Sequence, residues 1–379
     1  GCQCASIIAA TAGRSVPGVR VSALSTPSAS PPPPCSPMST CAILSFRLGL
    51  TDGVSVVAAL WQAALRELGF ATLTVAGEGP VDVTLPGLAI DAQEPPTADA
   101  VAAALSGADL VVVENLGTIP LNLPASRVVN EVLAGRPAIF HHHDPPWQRE
   151  RFAHVTELPV DDPAWAHVTI NRLTQREMHD RGIETTTIYN GFDPDPPPGD
   201  RGSTRRLIDV APEKLLCVHP VRAIQRKCIP DALRLTTQLG GTYWLPGGSE
   251  EGYEPTLERI LADAECPVRH RRHPRVEDIY AAGDLVVFPS SWEGFGNPPI
   301  EAALHRTPAA VGTYAVAGEL RELGFEWFPT DDPEPARVWL DAPDPALLDH
   351  NQAVARTELS TDVMRDRLRS LLVERDWLP

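Results

Sequence analysis

Residues 284–304, DLVVFPSSWEGFGNPPIEAAL, combine a short apolar run, an acidic loop and a second apolar run. The first run, at 285–288, has the length and composition of a buried strand. Two glycines and two prolines then separate Glu293 from Glu301. Because Gly-Phe-Gly followed by Pro-Pro disfavours a continuous helix, we expect the two glutamates to belong to different local structures and to converge on a ligand between them.

The second half of this stretch has the signals of a helix start. Asn297 suits the N-cap position and Pro298 the first helical position, which places Glu301 in the first or second turn. The backbone N–H groups around Gly296 would then form an anion site. Carboxylates accept hydrogen bonds from sugar hydroxyls. The pattern therefore favours a ligand with hydroxyls at both ends and negative charge between them, as in a nucleotide sugar.

The same alternation of short apolar runs and amphipathic stretches extends along the chain. It predicts an α/β protein with parallel sheets covered on both faces. A Pro/Gly-rich interval at 193–206 divides it into two doubly wound domains that face a central cleft, where ligands are expected. The predicted strands are 41–46, 71–77, 110–115, 137–144, 167–171, 185–190, 215–220, 242–247, 284–290 and 308–314.

Four regions are predicted from these signals. Residues 1–37 lack Asp, Glu and Lys, are rich in proline and serine near their end, and are expected to be a disordered extension. Residues 38–192 form the first domain and residues 193–350 the second. Residues 351–379 are expected to be a helical segment that packs back towards the first domain.

Bulk composition excludes several classes of partner. The formal net charge of −17 argues against nucleic acid and anionic lipid. The sequence has no apolar run of about 18 residues that would cross a membrane. The 7 cysteines follow no zinc spacing, so free thiols in a reducing, cytoplasmic compartment are expected.

A second motif, HPVRAIQRKCIPDAL, begins at His219 after a predicted strand. It places Arg222 and Lys227 five residues apart ahead of a helix. Two cations at the end of a strand can neutralise a diphosphate, and arginine can bind it with two parallel hydrogen bonds. Arg226, next to Lys227, could be mistaken for either of these two cations.

Two further motifs lie in the first domain. The run FHHHDPPW delivers His141, His142, His143 and Asp144 to the end of a predicted strand. Neighbouring strand residues point to opposite faces, so one metal ion could hardly bind all three histidines, and no metal site is predicted. The loop LGLTDGVS after the first strand contains Gly53, which suits a close approach of the backbone to a ligand.

Over roughly residues 40–375 the chain resembles the family-4 retaining glycosyltransferases, which have two Rossmann-like domains in the GT-B fold. The segment FPSSWEGFGNPPIEAALHRTPAAVG is similar to the E-x7-E region of that family. The resemblance implies that Glu293 contacts the donor hexose and Glu301 the ribose. Arg222 and Lys227 would hold the diphosphate and stabilise the leaving group, although Cys228 stands where the family usually has glycine.

The resemblance also implies a histidine near the donor sugar and the acceptor, for which His143 matches best and His142 second. The predicted function is transfer of a hexose, with retention, from a nucleotide diphosphate sugar to a sugar or small-molecule acceptor, without a cofactor. The predicted catalytic residues are His143, Glu293, Arg222 and Lys227. The predicted substrate-binding residues are Gly53, His142, Asp144, Gly294, Phe295, Gly296, Asn297 and Glu301.

Three alternatives share part of this evidence. A nucleotide-sugar epimerase would have the same GT-B fold, and a catalytically silent nucleotide-sugar-binding protein would keep the same carboxylates and cations. An NAD-dependent dehydrogenase fits poorly, because no G-x-G-x-x-G follows the first strand. Incubation with a donor alone distinguishes the epimerase, which needs no acceptor to form a new sugar nucleotide.

Overall fold

The computed structural model describes residues 39–50 and 52–379, so the predicted extension at 1–37 lies outside the described residues. The described chain forms two parallel sheets flanked by helices. The strands are β1 (Thr40–Arg47), β2 (Ala71–Glu78), β3 (Val83–Thr84), β4 (Leu110–Glu114), β5 (Ala138–His142), β6 (Trp165–Thr169), β7 (Thr185–Thr187), β8 (Leu216–Val218), β9 (Thr242–Leu245), β10 (Val268–His270), β11 (Leu285–Phe288) and β12 (Ala309–Val311).

Helices follow most of these strands, as the alternating pattern predicts. They are α1 (Gly53–Glu67), α2 (Ala98–Ala104), α3 (Leu123–Leu133), α4 (Arg172–His179), α5 (Arg201–Leu207), α6 (Ile229–Gln238), α7 (Glu254–Ala262), α8 (Val276–Ala282), α9 (Asn297–Leu304), α10 (Ala315–Glu322), α11 (Glu334–Asp341), α12 (Pro345–Leu359) and α13 (Thr361–Glu374).

The strand orders define two doubly wound sheets. The first sheet has the order β3-β2-β1-β4-β5-β6-β7 and the second has the order β10-β9-β8-β11-β12, with all neighbours parallel. In each sheet the winding reverses beside the first strand, between β1 and β4 and between β8 and β11. Ligands of such sheets bind beyond the carboxyl ends of the strands at these points. The predicted fold class is confirmed.

Apolar strands packed on both faces account for this arrangement. Strand β4 is buried along its whole length, as expected for a central parallel strand covered by helices on both sides. One face of the first sheet packs around Trp61 of α1, and the other packs around Phe140 and residues of α2 and α3. A separate core, which includes Trp244 and Phe288, encloses the second sheet.

The C-terminal helices join the two halves. Helix α12 packs against α9 of the second half, and α13 packs against α1 of the first. The apolar side chains of Leu368 and Leu372 in α13 are fully buried in the core around Trp61, and each contributes about 1.5–3 kcal/mol of stability. The chain crosses between the halves at Phe192 and again at Ser360, where the two segments pair as a short parallel bridge.

Within the described residues, no helix combines the length and apolar character needed to cross a membrane.

Candidate active site

A carboxylate and two cations meet at the carboxyl ends of β8 and β11. Glu293 lies in the loop after β11, and Arg226 and Lys227 lie in the turn before α6. Nζ of Lys227 is 2.5 Å from Oε1 of Glu293, and Nη1 of Arg226 is 2.9 Å from Oε2. Burial lowers the pKa of Lys227 even though Glu293 opposes the shift. The two sequence motifs of the second domain thus form one charged cluster.

Arg222 lies at the exposed rim of this cluster. Its side chain is 47% exposed and bonds Oε2 of Glu250 at 2.6 Å rather than Glu293. The Arg222 charge is a minor contribution to the lowered pKa of Lys227. Arg226 is the arginine that contacts Glu293, a contact that the sequence pattern alone did not assign.

Glu301 projects from α9 into a buried environment. Its Oε2 accepts a hydrogen bond of 2.5 Å from the hydroxyl of Tyr280, which is itself buried. Burial raises the pKa of Glu301, and the Tyr280 hydroxyl bond only partly offsets this. Glu293 and Glu301 therefore occupy different local structures, one in a loop and one in a helix, as expected.

The loop between the two glutamates depends on Gly296. Its φ of +101° belongs to the left-handed region, and a Cβ at this position would lie 2.0 Å from the Tyr314 hydroxyl oxygen. Gly296, not Asn297, is the N-cap of α9, so the predicted cap position was wrong by one residue. Within the described residues no side chain caps this helix, and Asn297 and Pro298 begin it.

Phe295 has a packing role in this loop. Its ring is buried and lies 5.8 Å from the ring of Tyr189 and 6.2 Å from that of Phe192, centroid to centroid. A substrate contact by Phe295 would therefore involve its backbone. Gly294, next to it, faces the first domain: a Cβ there would lie 3.3 Å from the carbonyl oxygen of His143.

In the first domain the three histidines divide between the two faces of the sheet. Nδ1 of His141 and Nε2 of His143 each lie 2.9 Å from Oε2 of Glu114, the last residue of β4. His142 points to the other face, where its Nδ1 lies 2.6 Å from the Thr118 hydroxyl oxygen and its Nε2 lies 2.8 Å from Nδ1 of His167. The alternation predicted for neighbouring strand residues is present.

Asp144 lies just beyond the carboxyl end of β5 and is partly buried. It forms an ion pair with Arg149, and its backbone N–H and that of His143 both donate to Oδ1 of Asn115. Burial alone would raise the pKa of Asp144, but Arg149 outweighs it and the pKa is lowered. The positive charge of Arg226 in the second domain contributes to this lowering of the Asp144 pKa.

Gly53 is the first residue of α1, behind an Asp52 side chain that caps the helix. Apart from its chain neighbours and the backbone of α1 itself, no atom of the described residues lies within 4 Å of where a Cβ on Gly53 would be, so there is space for a ligand beside the backbone.

Direct hydrogen bonds join the two domains beside these residues. Nδ2 of Asn171 donates to the carbonyl oxygen of Gly294 at 2.6 Å. Glu319 of α10 accepts from the backbone N–H groups of Arg172 and Leu173 at 2.7 and 3.1 Å, and from the Tyr189 hydroxyl at 2.7 Å. Glu319 thus caps the first turn of α4 across the interface.

Sequence reasoning did not identify Glu114, Asn171 or Glu319 as members of this region, and it placed His141 at the strand end without giving it a role. The one available signal for Glu114 was its position: an acidic residue directly after an apolar run, LVVV, at the end of a central strand. Within the described residues, Glu114, His141 and His143 form the one cluster whose side chains could hold a metal ion, with candidate ligand atoms within 4.8 Å of one another.

Two doubly wound domains with the site between them define the GT-B glycosyltransferase architecture. Solved structures of that class match the chain over most of its length. HepE of Anabaena, in complex with UDP and glucose, matches with a TM-score of 0.70 and 18% identity over 89% of this chain and 100% of that chain. Sucrose-phosphate synthase of Thermosynechococcus elongatus matches with a TM-score of 0.68 and 14% identity over 89% and 98%.

Sequence comparison finds curated relatives of the same class. The mannosylglucosylglycerate synthase of Petrotoga mobilis is 24% identical over 369 residues, which cover 75% of this chain and 85% of the relative. No model of a known protein family matches the chain. The homologues of this chain, by sequence and by fold, are glycosyltransferases.

Proposed function

We propose that this protein is a retaining glycosyltransferase that moves a hexose from a nucleotide diphosphate sugar to the hydroxyl of a sugar or small-molecule acceptor. The observation that carries the proposal is the cluster of Glu293, Arg226 and Lys227 at the strand ends of one domain. Gly294, the neighbour of Glu293, lies against the carbonyl oxygen of His143 in the other domain. Cations at this place suit a diphosphate, and carboxylates suit sugar hydroxyls.

Each residue has a defined part in the proposal. Lys227 and Arg222 hold the diphosphate, with the uncapped N-terminus of α9 beside it. Glu293 binds the hexose, Glu301 binds the ribose, and His143 lies near the donor sugar and the acceptor. Gly53 brings backbone N–H groups of the first domain towards the phosphates. The relative HepE was solved with UDP and glucose, which supports a uridine nucleotide as the first donor to test.

The proposed chemistry is mainly electrostatic. The bond between the anomeric carbon and the diphosphate oxygen breaks, the acceptor oxygen bonds that carbon, and the acceptor proton passes to the departing diphosphate. Lys227 and Arg222 stabilise the negative charge that develops on the leaving group. Glu293 already bonds two cations, which makes it a weak nucleophile and supports attack from the front face rather than a covalent glycosyl-enzyme.

A thermal-shift screen with UDP-, GDP- and ADP-linked hexoses tests donor binding, because a specific ligand raises the melting temperature by mass action. The stabilising donor is then incubated with the protein and a panel of sugar and glycerate acceptors, and the anomeric configuration of the product is read by proton NMR. The expected result is a new glycoside with the configuration of the donor. A new sugar nucleotide formed without acceptor, or binding without any turnover, would contradict transfer.

The proposal includes no cofactor besides the donor substrate. The predicted cytoplasmic location stays a prediction.

A further inference from the structure

Glu114 is a buried carboxylate shared by two histidines. It ends β4 and stands opposite His141 in the register of β4 with β5. His143 lies two residues beyond His141, so both imidazoles are on the same face of the sheet. The Glu114 and His141 side chains are fully buried and that of His143 is 6% exposed.

The shared carboxylate determines which ring nitrogens carry protons. Oε2 of Glu114 accepts from Nδ1 of His141 and from Nε2 of His143, both at 2.9 Å. Burial alone would raise the pKa of Glu114, but the charge interaction with His141 and the hydrogen bonds of both imidazoles outweigh it, so the pKa is lowered. An ionised carboxylate only accepts hydrogen bonds, so it favours a proton on Nδ1 of His141 and on Nε2 of His143.

The other atoms of His143 are also held. Its backbone N–H donates to Oδ1 of Asn115 at 3.1 Å, and its carbonyl oxygen faces Gly294 of the second domain. Nδ1 of His143 makes no hydrogen bond to any residue of the described chain. In the neutral imidazole with a proton on Nε2, this atom is a hydrogen-bond acceptor at the cleft between the domains.

We propose that Glu114 is a positioning residue for the transfer reaction: together with His141 it fixes the proton of His143 on Nε2, so that Nδ1 accepts a hydrogen bond from a sugar hydroxyl. This inference rests on the proposed function of the site. An unpaired buried carboxylate destabilises a fold strongly, so the Glu114 charge depends on its bonds to the two histidines. One of these bonds is to His143, which lies beside Gly294 of the second domain.

A metal ion held by the same three side chains is the competing interpretation. The 2.9 Å separations are those of N–H···O hydrogen bonds. Metal-bound histidines usually donate their second N–H to an acceptor, whereas Nε2 of His141 is buried with no partner among the described residues. His141 instead stacks on Trp61, with ring centroids 4.2 Å apart. Hydrogen bonding therefore accounts for the cluster better.

The protonation pattern can be measured without any substrate. The full chain, labelled with ¹⁵N-histidine, is recorded by long-range proton–nitrogen NMR, with the His143→Gln variant used to assign the signal. A single tautomer of His143 with a protonated Nε2 is expected. Glu114→Leu removes the acceptor and should give a mixture of tautomers, whereas Glu114→Gln removes the charge but keeps one acceptor oxygen. An unprotonated Nε2 in the wild type, or an unchanged tautomer in Glu114→Leu, would overturn the inference.

Kinetics give the second test, with UDP-glucose as the first probe and release of UDP as the readout. Glu114→Gln should lower kcat by about tenfold or more, because a neutral partner weakens His143 as an acceptor, while KM for the donor changes little. Asn122→Ala is the matched control: Asn122 is also buried in the first domain and donates to the carbonyl oxygens of Gly87 and Ala89, away from the cleft. It should lower the melting temperature but leave kcat within about twofold.

The outcomes separate the inference from the function on which it rests. If the wild type acts on no nucleotide sugar, the proposed function fails, and the NMR result still decides the tautomer. Wild-type kcat in Glu114→Gln would overturn the positioning role even where Glu114→Leu fails to fold. Stoichiometric zinc in the purified wild type that is lost in Glu114→Gln, measured by elemental mass spectrometry, would overturn it in favour of a metal site.

Discussion

Nζ of Lys227 lies 2.5 Å from Oε1 of Glu293, and both side chains are about nine-tenths buried. The two residues belong to different sequence motifs, 66 positions apart. Before a donor binds, the cation proposed to hold its diphosphate is paired with the carboxylate proposed to hold its hexose. Donor binding would then add phosphate oxygens to a cation whose position is already fixed.

Removing either member of this pair should nearly abolish transfer while the chain still folds. Glu293→Ala leaves the buried Lys227 without its carboxylate, which destabilises by about 3–5 kcal/mol. After Lys227→Ala the Glu293 carboxylate keeps its bond to Arg226, so the loss of stability should be smaller. Urea unfolding and UDP release measure the two effects. The double variant Lys227→Ala/Glu293→Ala should be less destabilised than the sum of the two single changes, because the attraction between the two residues is lost only once. The exposed Lys214→Ala is the lysine control, and wild-type turnover in both single variants would refute the site assignment.

Replacement of Glu301 by glutamine should change the pH dependence of stability. Because burial raises the folded-state pKa of Glu301 above its unfolded value, the folded state holds the proton more tightly. The resulting stabilisation is complete below the unfolded pKa and is lost as the pH rises through the folded pKa. Glu301→Gln lacks this loss, so its melting temperature relative to wild type should increase from pH 4 to pH 8.

Tyr280→Phe provides a check on the cause of this effect. The Tyr280 hydroxyl bond lowers the pKa of Glu301, so its removal should raise that pKa further and steepen the loss of stability with pH. If the difference in melting temperature between Glu301→Gln and wild type does not vary with pH, the raised pKa of Glu301 is contradicted.

Gly296→Ala should destabilise the loop before α9 and weaken donor binding. Alanine in the left-handed region costs about 1–3 kcal/mol, and its Cβ would overlap the Tyr314 hydroxyl as well. Tyr314→Phe in the Gly296→Ala background should recover the stability that is lost through overlap with the hydroxyl. It should not recover the stability that is lost because alanine adopts a left-handed backbone conformation. Gly318→Ala is the control, because Gly318 lies within α10 with open space at its Cβ position and should gain up to about 1 kcal/mol. Equal stability of the two alanine variants would refute the argument.

Glu319→Ala should loosen the contact between the two domains. The change leaves the N–H groups of Arg172 and Leu173 and the Tyr189 hydroxyl without their acceptor, and loss of a helix cap alone costs about 0.5–2 kcal/mol. We expect a lower melting temperature and a higher donor KM. Glu322→Ala is the matched control: Glu322 lies on the same helix and pairs with Arg172, but its side chain is 73% exposed, so its loss should have little effect. Equal effects of the two changes would show that the cap is unimportant.

Local pattern was enough to predict most of the architecture. The apolar runs that became β1, β4, β5 and β11 lie within a few residues of their predicted bounds, because burial on both faces of a parallel sheet requires continuous apolar runs. Strand β3, with two residues, and the edge strand β10, with three, are too short and too polar to give that signal. The N-cap of α9 was predicted one residue late, because a glycine in sequence does not reveal its φ.

The spacing of Glu293 and Glu301, the two cations before α6 and the histidines at the end of β5 could all be identified from the sequence, because each set lies within one short continuous segment. The residues that these side chains contact could not be predicted from the sequence. Glu114 meets His141 only because β4 and β5 are neighbours in the sheet, and Glu319 caps α4 across 147 residues only because the two domains pack together. Strand order and domain packing arise from the burial of whole faces, so they determine which distant side chains meet at the cleft.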